Sequence, residues 1–204
     1  MKTKDRIINE ALTLFSIRGF KGTSVKSIAD AVGIKDSSLY KHFRSKREIF
    51  DTIVLEMRDR MERMSAQAGL PDEHEFSQAA LFYETLSLQD LQELSKRIFL
   101  FYLQDGFASR FWRLANMEQY QNPEIYETFR QIFMEESISY QSQLFCAMIQ
   151  QGVFIPHDPT VMAMNFYSPI FFLLSKYSGR PQEVEEALII LERQVAEFYQ
   201  VYRK

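Results

Sequence analysis

Apolar residues recur along this chain at intervals of three and four, with no convincing alternation anywhere. That period admits helices packed on one another and leaves no room for a sheet. Ile7, Ile8, Ala11, Leu12 and Phe15 form one stripe, closed by Gly19. Val25, Ile28, Ala29 and Val32 form a second, on a short segment that Thr23 or Ser24 can cap and Gly33 stops. A third short helix is expected over Asp36 to His42, with Leu39 and Phe43 facing inward. Ser45-Lys46-Arg47-Glu48 has capping-box spacing and opens a long fourth helix through Ile53, Met57 and Met61.

Further along, Gly69-Leu70-Pro71 breaks that helix, and Ser87 with Asp90 can cap another through Leu103. Asn122-Pro123-Glu124 and Asp158-Pro159 each set a capping residue before a proline suited to a first helical turn. Gly179-Arg180-Pro181 separates the last two helices. The expected fold class is all-α: a small three-helix head, residues 1–46, followed by a larger helical body, residues 47–204. A chain of 204 residues, 46% of them hydrophobic, is ample for such cores.

Charge separates the two parts. Net charge is −3, yet residues 1–50 hold 11 Lys and Arg against 5 acids, a balance of +6 that leaves −9 for the rest. A basic head on an acidic body points to a head that meets phosphate. The two short helices before and after Gly33-Ile34-Lys35 are joined by a turn of the length found in helix-turn-helix units. In such a unit the second helix enters the DNA major groove. Ser37, Ser38, Tyr40, Lys41 and His42 would face outward there, able to donate to phosphate or base edges. Lys46, at the start of the next helix, is placed to hold a phosphate. The plain alternative, a solvated basic face, leaves the capped and glycine-bounded helix pair unexplained.

The run "RIINEALTLFSIRGFKGTSVKSIADAVGIKDSSLYKHFRSKREIFDTIV" resembles the N-terminal domain of TetR-family transcriptional regulators. Ala11, Phe15, Gly19, Thr23, Ile28, Ala29, Gly33, Leu39, Tyr40, Phe43, Lys46 and Phe50 fall in the family's order and spacing. The resemblance covers about a quarter of the chain. It implies a three-helix DNA-binding domain and a helical ligand-binding and dimerisation domain. By motif position it implies DNA contacts at Thr23, Ser37, Ser38, Tyr40, Lys41, His42 and Lys46. Lys35, where the family commonly has Ser or Ala, is counted with them.

On the final helix Val184, Leu188, Leu191, Val195, Phe198 and Tyr202 make a heptad-like seam. The helix before it is apolar nearly all round. In the resembling family such a pair forms a four-helix bundle with a second subunit, so Phe171, Leu188, Leu191, Val195 and Phe198 are the expected homodimer contacts. The region between is rich in rings, of which Phe101, Tyr102, Phe107, Phe111, Trp112, Tyr120 and Phe133 are candidate ligand contacts. The expected ligand is a small hydrophobic or aromatic compound. A cationic one is the other choice, with Glu118, Glu124 and Glu127 nearby, unless those acids face water.

Other classes find little support. His42, His74 and His157 are scattered, and no metal, nucleophile-elbow, phosphate-loop or cofactor pattern is present. Cys146 is the one cysteine, which fits a reducing cytoplasm. The N-terminus lacks the apolar core of a signal peptide. The most apolar run, Val161 to Leu174, is too short to span a membrane and contains Asn165, Ser168 and Pro169. The expected protein is a cytoplasmic, homodimeric repressor that binds a palindromic operator and is released by its effector. The second reading is a helical enzyme or small-molecule carrier with an incidental helix-turn-helix.

Overall fold

Most of the stop and start signals read in the sequence mark helix ends. In the computed structural model, which describes residues 2–71 and 75–204, α1 (Thr3–Arg18) ends where Gly19 turns to φ 73°. α2 (Val25–Val32) ends at Gly33, left-handed at φ 76°. Ser24 is the residue that caps α2: its hydroxyl accepts from the Ser27 amide, and Ser27 returns a bond to the Ser24 amide, both at 3.0 Å. α3 is shorter than expected, spanning Asp36–Leu39. Beyond Leu39 the amides of Lys41 and His42 reach back only three residues, to Ser38 and Leu39, so the chain continues as a tightened turn. α4 (Lys46–Gln67) starts at Ser45, whose hydroxyl accepts from the Glu48 amide at 3.0 Å.

The rest continues in the same manner with α5 (Phe76–Thr85), α6 (Leu88–Gln104) and α7 (Ala108–Glu118). α8 (Pro123–Arg130) runs through a π-helical stretch, Gln131–Glu136, into α9 (Ser137–Gln150). α10 (Pro159–Tyr177) is capped by Asp158, whose Oδ1 accepts from the amides of Thr160 and Val161. A 3₁₀ turn, Pro181–Glu183, leads to α11 (Val184–Tyr202). Among the described residues there is no strand, only an isolated bridge between Phe154 and Arg203. The fold is all-α. His74 lies outside the described residues.

The chain packs as two compact units, residues 1–62 with 105–128, and residues 63–104 with 129–204. The first unit is larger than a head of residues 1–46 because the apolar stripe of α1 needs covering on more than one side. Ile49, Phe50, Ile53 and Met57 of α4 are buried in it, as are Phe111, Trp112 and Leu114 of α7. The packing unit therefore runs on past residue 46. The second unit has its own core, in which Phe145, Phe166 and Phe198 meet ring to ring at 4.9–5.9 Å. Arg203 closes it by donating to the Glu84 carbonyl at 2.7 Å, near the C-terminal end of α5.

The seam on α11 is corrected by this packing. Leu191, Val195 and Phe198 are 1%, 4% and 7% exposed, covered by their own unit. Leu188 is half-buried, and half-buried Phe171 lies against the Tyr167 ring at 6.0 Å. Heptad spacing announces an apolar stripe but does not say which chain covers it. A different set is left uncovered: Val161, Met164 and Phe172 on α10, with Ile189, Ile190 and Val201 on α11. Phe172 and Ile190 line one groove, together with Pro169, Leu173, Lys176 and Arg193.

Candidate nucleic-acid interface

Leu39 and Phe43, 0% and 1% exposed, plug the third segment into the core and turn its remaining side chains outward. Lys35, Ser37, Tyr40, Lys41 and His42 are exposed and Ser38 is half-buried. Tyr40 stands out as a large ring left 53% exposed. An apolar ring facing water beside two ammonium groups, an imidazole and hydroxyl donors suits a phosphate-lined groove. Asp36, at the first position of α3, is the one acid in this patch and favours the helix N-terminus.

Two expected contacts have other duties. Thr23 is 1% exposed, and its hydroxyl donates to the Gly19 carbonyl at 2.9 Å, so its side chain does not reach a ligand at the surface. Lys46 turns inward across the α1–α2 turn. Its ammonium donates to the carbonyls of Phe20 and Thr23, both at 2.7 Å, and lies 4.4 Å from the centre of the Phe20 ring. Burial lowers its pKa, and the Glu118 carboxylate opposes that shift. Two of the three ammonium protons of Lys46 thus brace the turn. The sequence shows a lysine near a helix N-terminus; it does not show that two carbonyls converge there.

Sequence reasoning also missed the partner on the other side of this turn. Glu118, the last residue of α7, is 1% exposed and accepts the Phe20 amide at 2.7 Å through Oε1. It does not face water. Glu124 is exposed and pairs with Arg47, while Glu127 is exposed. The legible signals were an acid in the otherwise apolar face of α7 and a glycine at position 19. A side chain there would place its Cβ 2.9 Å from Glu118 Oε1. α7 also reaches α1 through Arg110, which donates to the Asn9 carbonyl at 3.1 Å and to the Thr13 hydroxyl.

The seven candidate ligand contacts are drawn from both units. Phe107, Phe111 and Trp112, at most 3% exposed, belong to the core of the first unit, and Tyr120 is 88% exposed. Phe101, Tyr102 and Phe133 belong to the second unit. There Tyr102 meets Phe101 at 5.2 Å and Phe133 at 5.9 Å, and the Tyr167 hydroxyl donates to the Phe133 carbonyl at 2.6 Å. Burial raises the Tyr102 phenol well above its ordinary value and pushes Tyr167 up to about 12. The Phe133 carbonyl sits in the π-helical stretch, a distortion that recurs at functional sites. Among the described residues no three His, Cys, Asp or Glu side chains gather to hold a metal ion.

A glycine-bounded helix pair, with its apolar residues buried and a basic, aromatic patch outward, defines a helix-turn-helix head on an all-helical chain. Residues 7–53 match the model of the bacterial regulatory proteins, tetR family. The head of this chain is therefore similar to the DNA-binding head of the tetR family. Its head is 51% identical over 51 residues to the Staphylococcus aureus biofilm operon icaADBC HTH-type negative transcriptional regulator IcaR. The Staphylococcus epidermidis protein of that name is 49% identical over 47 residues. The S. aureus match spans 25% of this chain and 27% of that protein, so the chain covers about a quarter of the length of these relatives. Solved structures share the fold over the whole length. SmeT in complex with triclosan has a TM-score of 0.67 at 17% identity, covering 100% of this chain and 93% of its own. AibR in complex with isovaleryl coenzyme A and operator DNA has 0.61 at 19%, covering 98% of each. A TetR family transcriptional regulator from Pseudomonas syringae has 0.65 at 22%, covering 98% of this chain and 96% of its own.

Proposed function

We propose that this protein is a homodimeric transcriptional repressor that binds a palindromic operator and is released by a small hydrophobic or aromatic effector. The observation that carries the DNA reading is the patch of Lys35, Ser37, Ser38, Tyr40, Lys41 and His42, turned outward by the buried Leu39 and Phe43. Support for the sign of regulation is the IcaR head, that of a negative regulator. Support for an effector is that neighbours of this fold hold triclosan or isovaleryl coenzyme A. Within this chain the effector contacts are placed at Tyr102, Phe133 and Tyr167, rings gathered at the π-helical stretch of the second unit. The uncovered apolar face of α10 and α11 is the subunit contact, and its two-fold would present two heads to two half-sites. No helix among the described residues is long and apolar enough to cross a membrane, and we read the chain as cytoplasmic.

Binding to a duplex from the chain's own upstream region should be steeply salt-dependent, because each phosphate neutralised releases counterions. Tyr40→Ala, at a 53% exposed side chain, should weaken the complex by roughly 1–3 kcal/mol while leaving helicity and melting unchanged. Titration by fluorescence anisotropy at several salt concentrations measures both. Salt-insensitive or absent binding by the unaltered chain would favour a helical carrier or enzyme with an incidental helix-turn-helix.

A further inference from the structure

We infer that Glu118, outside the segment of residues 7–53 that carries the motif, is a positioning residue for DNA binding: it fixes the turn that sets α2 against α1. This rests on the DNA-binding reading. The peptide units of Phe20 are gripped from both sides. Glu118 Oε1 takes its N–H, and Lys46 donates to its carbonyl, each at 2.7 Å. The Phe20 ring packs on Phe15 and Phe50 at 5.3 and 5.7 Å, so the residue has no freedom left. Three residues on, Thr23 is held by its hydroxyl to Gly19 and by its carbonyl to Lys46, and the next residue, Ser24, is the cap of α2. The end of α1, the cap of α2, the start of α4 and the end of α7 thus meet at one turn. The direction α2 takes from α1 is set by the orientation of this turn.

Glu118 is a costly residue for a purely structural tie. Its Oε2 is buried with no hydrogen-bond partner among the described residues. The carboxylate also stands at the C-terminal end of α7, where the helix dipole disfavours negative charge. A buried polar atom left unmatched calls for a reason other than stability. The room for the carboxylate comes from Gly19, which brings backbone against Oε1 where any side chain would collide. Arg110 supplies a comparison, because it ties the same two helices at Asn9 and Thr13, away from the turn.

The test compares Glu118→Ala, Glu118→Gln and Arg110→Ala in the full chain. It measures affinity for the upstream duplex well below each variant's melting temperature, and exchange of the Phe20 amide. Glu118→Ala is expected to lose at least about tenfold in affinity and to speed exchange at Phe20. Glu118→Gln keeps an acceptor for the Phe20 amide and should stay within about twofold of the unaltered chain in both readouts. Arg110→Ala should lower the melting temperature and leave the affinity of the folded protein unchanged. Unchanged affinity in Glu118→Ala would overturn the inference, as would a Gln variant as weak as the Ala variant. Equal losses in Glu118→Ala and Arg110→Ala would overturn it too, since general loosening of α7 on α1 would then explain them. If the unaltered chain binds no DNA, the functional reading fails on its own. Phe20 exchange in the Ala and Gln variants still shows whether the clamp exists.

Discussion

Leu191→Asp is expected to unfold the second unit, leaving no folded subunit to dissociate from a partner. The side chain is 1% exposed on the inner stripe of α11, the stripe that also carries Val195 and Phe198. Removing a buried leucine forfeits about 2–5 kcal/mol of packing. Setting an unpaired carboxylate in its place adds a desolvation penalty of several kcal/mol, unless the group takes up a proton. Their sum is comparable with the about 5–15 kcal/mol that holds a typical domain together. The variant should lose most of its helical circular dichroism at room temperature. A soluble, fully helical monomer would mean that Leu191 faces a second chain.

The inner stripe of α11 shows what a single sequence carries. The helix ends that carry caps and stops were legible, because those signals act locally. Ser24, Gly33, Ser87 with Asp90, and Asp158 before Pro159 all mark ends where they stand in the structure. The third helix came out too long because nothing in Tyr40-Lys41-His42 announces the change to three-residue hydrogen bonds. Partners across the chain were not legible. Val184, Leu191, Val195 and Phe198 repeat with the period of a subunit seam, but the same period serves a helix packed within its own unit.

The candidate sites divide along the same line. Tyr40, Lys41 and His42 were readable as outward because their place is fixed by the neighbouring Leu39 and Phe43. Thr23 and Lys46 matched the family's order, but their hydrogen bonds run to Gly19 and Phe20, which only the closed turn brings near. Which of the aromatic residues are core is not legible in the sequence; packing puts Phe111 and Trp112 in the core of one unit and Tyr102 and Phe133 in the other unit. Ring count along a sequence measures apolar area. It does not measure which rings share a space.

Phe172→Asp, by contrast, should leave the fold intact and separate the subunits. Phe172 is 63% exposed on α10, so the charge stays hydrated in the isolated chain and little folding stability is lost. In the proposed dimer the same position is covered, and a two-fold axis places the substitution on both sides of one interface. Each subunit then forfeits the burial of a phenyl ring, about 1.5–3 kcal/mol, and must desolvate or expose a carboxylate besides. Two copies of that loss exceed about 3 kcal/mol, more than a hundredfold in the dimer dissociation constant. Ile190, across the groove and 37% exposed, should behave alike as Ile190→Asp, although its chain neighbour Leu191 unfolds the protein when changed in the same way. Sedimentation should show a folded monomer with unchanged helical circular dichroism. Affinity for a two-half-site operator should collapse, since each head then binds alone and the second contact is no longer intramolecular. A Phe172→Asp protein that still sediments as a dimer would move the subunit contact to another face, and one that sediments as a monomer yet holds the operator as tightly would remove the two-fold from the mechanism.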